Sequence, residues 1–173
     1  MRAMSQSSGS VAEPITTEQY LTMTLGHEQF ALSIAQVREI IEFSSLTEIP
    51  LMPDFLRGVI NLRGAVVPVL DLALRLGRER TQIGRRTCIV IVEVDQAEPP
   101  QLIGVLVDAV NDVLDVLPGQ IEPRPGFGAR IRADFIAGIL RHQESIRVVL
   151  DFTQVLALDE LAGLVGQCAE TGV

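Results

Sequence analysis

Residues 55–76 recur, without a gap, as residues 135–156. Phe55 is matched by Phe135, Gly58 by Gly138, Val69-Leu70-Asp71 by Val149-Leu150-Asp151 and Leu76 by Leu156, each 80 positions on. Upstream the match holds at 73 positions: Phe30, Leu32 and Ile34 meet Ile103, Val105 and Val107, and Val37, Glu39 and Ile40 meet Val110, Asp112 and Val113. The Pro/Gly-rich stretch before Phe135 absorbs the difference of 7 residues. Such a chain folds into two similar modules about a pseudo-twofold axis, with repeat units of residues 29–76 and 102–156. Each module has only about five strands, too few to bury a large core alone. The two must therefore share apolar surface.

The repeated segments read as strands. Leu21, Met23 and Leu25 alternate with Thr22 and Thr24; Gly26-His27-Glu28 offers a turn; Phe30, Leu32 and Ile34 alternate again, the pattern of a hairpin. Residues 37–43, 59–62, 65–70, 88–94, 102–107, 135–140 and 146–150 are further strand runs, and Val110, Val113 and Val116 continue the pattern. Pro53 is expected to open one helical turn over Asp54–Arg57, closed by Gly58. Asp71 and Asp151 are expected to cap short helices, the second reaching about Leu164. Pro118–Arg132 reads as loop. The chain is therefore expected to be all-β with a few short helices, one near the C-terminus. Residues 1–16 are Ser-rich and read as a disordered tail. Residues 17–165 form the folded domain, and residues 166–173 a C-terminal tail.

Composition narrows the function. Aromatics are 4% of the chain, so branched aliphatics must fill the core, which favours strands. The net charge of −8 argues against binding a nucleic-acid backbone. All 14 basic residues are arginine, which excludes a P-loop lysine and Schiff-base chemistry. The two cysteines, Cys88 and Cys168, lack metal-ligand spacing, and the two histidines, His27 and His142, belong to no catalytic motif. No apolar run is long enough to span a membrane. No enzyme activity, cofactor or metal is expected.

Residues 49–64, reading Ile-Pro-Leu-Met-Pro-Asp-Phe-Leu-Arg-Gly-Val-Ile-Asn-Leu-Arg-Gly, with Val67-Pro68-Val69-Leu70-Asp71-Leu72 after them, resemble the signature of the CheW coupling proteins of bacterial chemosensory arrays. Leu25-Gly26, Phe30, Val37-Arg38-Glu39-Ile40, Gly104-Val105-Leu106-Val107-Asp108 and Asp112-Val113-Leu114 fit the same pattern. The resemblance covers about residues 18–165. It implies two intertwined five-stranded SH3-like barrels. It also implies a non-catalytic adaptor that joins the cytoplasmic tip of chemoreceptors to the regulatory domain of the histidine kinase CheA. Such a protein is cytoplasmic, is held at receptor arrays by protein contacts, and inserts in no membrane. A paralogue serving surface growth or pili, and a general β-barrel peptide binder, are the alternatives.

The resemblance implies a receptor surface of Val37, Glu39, Arg63 and Val113. Cys88 is a further candidate, at a position where an aliphatic residue is usual. Gly58, Asn61 and Gly64 are expected to shape the turn, and no kinase-contact residue is assigned. The repeat also points to Arg63. Where packing decides, the copies agree; at the turn Asn61-Leu62-Arg63-Gly64 faces Arg141-His142-Gln143-Glu144, so the first turn is expected to have a task of its own. Val37 and Val113 are expected to line one groove between the modules, with a Glu39–Arg63 ion pair at its rim.

Overall fold

The computed structural model describes residues 17–94, 101–123 and 133–156. β1 (Glu18–Leu25) and β2 (Glu28–Ser33) form a hairpin turned by Gly26-His27, with Gly26 at φ +61°. A 3-10 turn leads into β3 (Val37–Glu42). β4 (Leu56–Leu62) and β5 (Ala65–Asp71) form the next hairpin, and α1 (Leu72–Arg75) follows. The second half gives β6 (Cys88–Val94), β7 (Gln101–Val107), β8 (Ala109–Val116), a short β9 (Ile121–Glu122), β10 (Ile136–His142), β11 (Ser145–Leu150) and α2 (Phe152–Val155).

These strands make two sheets. Sheet I has the order β3-β6-β7-β5-β4, and sheet II the order β8-β1-β2-β11-β10-β9. The halves exchange hairpins: β6–β7 completes the sheet built on β3, β4 and β5, while β1–β2 completes the one built on β8 to β11. The exchanged hairpins join through short parallel ladders, Val69 opposite Gly104 and Val149 opposite Ala31. The expected all-β, intertwined plan is thus present in the pairing itself.

Both sheets must curl. β3 and β4 are opposite edges of sheet I, yet Thr47, five residues beyond Glu42, exchanges both backbone hydrogen bonds with Val59 of β4 at 2.9 Å. On a flat sheet that position lies about 24 Å from β3, at about 4.8 Å per strand, while five residues reach about 17 Å. Sheet II repeats the geometry: Ile121, five residues after Val116 of β8, pairs with Leu140 of β10. Gly58 and Gly138 make room for this return. A Cβ on Gly58 would lie 2.4 Å from Thr47 O, and one on Gly138 would lie 2.8 Å from Glu122 O. Any side chain there would force the returning strand off.

The main core lies between the sheets and draws on both halves, with Phe30, Leu70, Leu72, Val105, Phe135 and Phe152 among its buried members. Each sheet also wraps a smaller cluster: Val67, Val69, Ile89, Ile91 and Leu106 in sheet I, and Tyr20, Ala31, Val116, Leu140 and Val149 in sheet II. Arg75 marks the join. Its Cζ lies 5.2 Å from the Phe55 ring centre and 5.0 Å from that of the repeat-matched Phe135. Its Nε donates to Val155 O at 2.8 Å, and Val155 is its own repeat mate.

The structure corrects several local expectations. Asp54–Arg57 is no helical turn: Leu56 N donates to Pro53 O at 3.0 Å, and Leu56 is already paired with Leu70 in β4. Gly58 therefore lies inside β4, at a bulge, and not in a turn. Pro118–Arg132 is not all loop, because Pro118–Gln120 forms a 3-10 turn and β9 pairs with β10. Asp71 and Asp151 cap α1 and α2 as expected, accepting from Leu74 N and Thr153 N. The extension of α2 towards Leu164, and both tails, lie outside the described residues.

Candidate functional site

The β4–β5 connection is a two-residue turn with both residues left-handed, Arg63 at φ +52° and Gly64 at φ +89°. This geometry matches the twist of a hairpin. Asn61 Oδ1 accepts from Gly64 N at 2.9 Å and fixes the turn, so Asn61 shapes it from within β4. The turn holds Arg63 out from the tip. From there it reaches Glu39 on β3, at the opposite edge of sheet I: Nη1 to Oε1 is 2.6 Å and Nη2 to Oε2 is 3.1 Å. Hydrogen bonding and charge from Glu39 raise the Arg63 pKa further above its usual value. The Arg63 side chain is 73% exposed and that of Glu39 28%. A pair this open adds little to stability. What it does is orient a guanidinium at the surface, in a form suited to bidentate recognition.

Beside it, where the β3 and β4 edges face each other, a cleft of about 330 Å³ is lined by Ile41, Glu42, Thr47, Val59 and Asn61 among others. Neither Val37 nor Val113 lines it. Val37 is half-buried on β3 and packs on the main core. Val113 lies on β8 of sheet II, opposite Leu21, and is 48% exposed. The two are not repeat mates either. Val37 matches Val110, which packs on the same core, whereas Val113 matches Ile40, which is 40% exposed. Ile40 is the residue that sequence reasoning passed over, although the 73-residue register already paired it with Val113.

Cys88 opens β6, opposite Glu42 and Val107, and is half-buried against the main core. Burial pushes its thiol pKa up, and Sγ lies 3.3 Å from Arg86 O. It is placed to pack rather than to react.

The second turn has the same backbone with different residues: Gln143 at φ +50° and Glu144 at φ +66°. The sequence difference there is one of side chain, not of turn geometry. Sheet II links its own closing strands differently, through Arg141 Nε and Glu122 Oε2 at 2.8 Å.

A network that the sequence did not announce lies beneath the first module. Asp71, fully buried, accepts from Arg57 Nη1 at 2.7 Å, Thr81 N at 3.0 Å and Thr81 Oγ1 at 2.9 Å. It pins the segment after α1 to β4. Among the described residues the matching Asp151 has no such network: its side chain accepts from Thr153 N, and Ala137 stands in the place of Arg57. Among the described residues, no group of three His, Cys, Asp or Glu is placed to hold a metal, and no helix is long and apolar enough to cross a membrane.

Comparison with known proteins agrees with this architecture. The CheW-like domain family matches residues 19–160. The chemotaxis protein CheW of Klebsiella aerogenes is 30% identical over 84% of this chain and 85% of its own length. The probable chemotaxis protein CheW of Rhizobium etli is 38% identical over 69% of this chain and 75% of its own. The Protein FrzA of Myxococcus xanthus is 28% identical over 80% of this chain and 85% of its own. The crystal structure of the scaffolding protein TtCheW from Thermoanaerobacter tengcongensis superposes with a TM-score of 0.72 at 32% identity, covering 79% of this chain and 90% of that one. Two hairpin-exchanging sheets, the Asn-Leu-Arg-Gly turn and these matches place the chain in the CheW family.

Proposed function

We propose that this protein is a non-catalytic adaptor that couples the cytoplasmic tip of chemoreceptors to the regulatory domain of the histidine kinase CheA. The observation that carries this reading is Arg63, held at the surface by Glu39 across the two edges of sheet I, in a chain of the CheW family. Glu39, Arg63 and the exposed apolar Val113 and Ile40 supply charge and grease for a helical partner. Val37 sets the position of β3 from behind. Cys88 supports the same strand from β6 and, half-buried, is a further candidate for the receptor surface. The adaptor works in the cytoplasm and reaches the receptor arrays through protein contacts.

Co-purification with CheA and a receptor fragment tests the reading. The wild-type chain should retain both. Arg63→Ala should lose the receptor fragment by about tenfold or more in affinity, as for a charged contact at an interface, with the melting temperature unchanged. Retention of full receptor binding by that variant would remove Arg63 from the site, and failure of the wild type to retain CheA would end the adaptor reading. The likeness to FrzA favours one second reading, a CheW-like paralogue in a separate pathway. The identity of the kinase captured from the native cell separates the two.

A further inference from the structure

We propose that the interior face of sheet II holds a binding site for a carboxylate group, formed by the Nε–Nη2 edge of Arg147 with Gln29 beside it. The inference does not rest on the adaptor reading. It starts from an asymmetry between the repeats. Arg147 is on β11 and shares a face with Val149, a member of the cluster inside sheet II; it is 9% exposed. Its match in sheet I is Val67, 1% exposed in ordinary apolar packing. Gln29, on β2, shares a face with Ala31 of the same sheet II cluster. Its match in sheet I is Leu102, which packs on that sheet's own cluster. β2 and β11 run parallel, Val149 opposite Ala31 and Val148 opposite Phe30, so Arg147 and Gln29 are the next pair in register. Sheet II carries a polar pair where sheet I carries an apolar one.

The hydrogen bonds of this pair are incomplete. Arg147 Nη1 donates to Ser145 Oγ at 3.0 Å. Arg147 Nε and Gln29 Oε1 are both buried, and among the described residues neither has a partner. A buried donor on a permanently charged group is expensive to leave unused. Arg78 shows what this donor edge takes: its Nε and Nη2 grip the two oxygens of Glu28 at 2.6 and 2.9 Å. The same edge of Arg147 has no carboxylate among the described residues. A water molecule would accept from Nε but would bring no charge, whereas a carboxylate supplies two coplanar oxygens and a negative charge. The Gln29 amide can turn its NH2 towards such a ligand and add a further donor.

The test follows the Arg147 Nε–H resonance in the ¹⁵N-labelled full chain, assigned by its loss in Arg147→Val. Sodium acetate and a blocked peptide with a single Glu are titrated separately, with sodium chloride and acetamide as controls. Both carboxylates should move the proton downfield to saturation, and neither control should. Arg147→Lys keeps the charge without the fork, and the accompanying shifts of the β2 amides should vanish in it. Gln29→Leu should weaken the apparent affinity several-fold. A peptide that saturates below acetate assigns the site to an acidic side chain of a protein partner; acetate saturating first assigns it to a free small carboxylate. No saturable shift with either carboxylate, or an equal shift with chloride, overturns the site. Arg147→Val should fold, since Val67 fills the matching place; if it does not, Arg147→Lys carries the comparison.

Discussion

Leu51 sits in the turn after Pro50 at φ +65°, with its side chain 99% exposed. Neither feature suits a leucine: the backbone favours Gly or Asn, and the apolar surface faces water. Leu51→Gly is expected to raise stability by about 0.5–1 kcal/mol, because the left-handed strain relieved exceeds the added chain entropy of glycine. Urea unfolding measures it, and an unchanged or lower midpoint would show that Leu51 is not strained. At this scale the sequence was legible for Arg63, because the copies differ there, and for Asp71 and Asp151, because capping is local. It was not legible for Arg57, Thr81 or Arg147. Their roles depend on which distant groups the fold brings within about 3 Å, and no spacing in the chain encodes that. Asp71 and Asp151 look alike in sequence and differ in surroundings. Asp71→Ala should cost about 3–5 kcal/mol, since it leaves the Arg57 guanidinium buried and unpaired, and Asp151→Ala only about 1 kcal/mol, the worth of a cap. Equal losses in thermal or urea unfolding would refute the distinction.

Among the elements, the strands were readable from alternation and the hairpins from their turns, whereas the return of the chain onto β4 and β10 was not. β9 is two residues long and the Thr47 bridge is a single pair, so neither leaves a periodic trace. The trace they do leave is the repeated glycine. Gly58 and Gly138 look like turn residues in one dimension and are clearance in three. Gly58→Ala is expected to cost on the order of 3 kcal/mol, because its Cβ would strike backbone rather than a flexible side chain. Gly26→Ala, with nothing within 4 Å of its Cβ, should cost about 1 kcal/mol from its φ alone. Comparable losses in the two variants would mean that backbone angle, and not clearance, explains Gly58. Ile40 teaches a related lesson. The register between the repeats names it as the partner of Val113, but exposure on a strand edge appears only once the sheets are assembled.

For the whole molecule, the repeat correctly implied a shared core, and the exchange of hairpins says how it is shared. Residues 17–86 carry β1–β2 without the rest of sheet II, and β3, β4 and β5 without β6–β7. Expressed alone, residues 17–86 and 87–156 are each expected to lack cooperative structure, and mixing them should restore the native circular dichroism spectrum and a single unfolding transition. A stable monomeric fold in either piece would contradict the exchange. The swapped hairpins also point to an ancestry that can be rebuilt. Two copies of one ancestral repeat, each lending its first hairpin to the other, would make a homodimer with true twofold symmetry. Joining their genes end to end would then have freed each half to mutate separately, so that a guanidinium could arise in one lobe's interior while the other stayed oily.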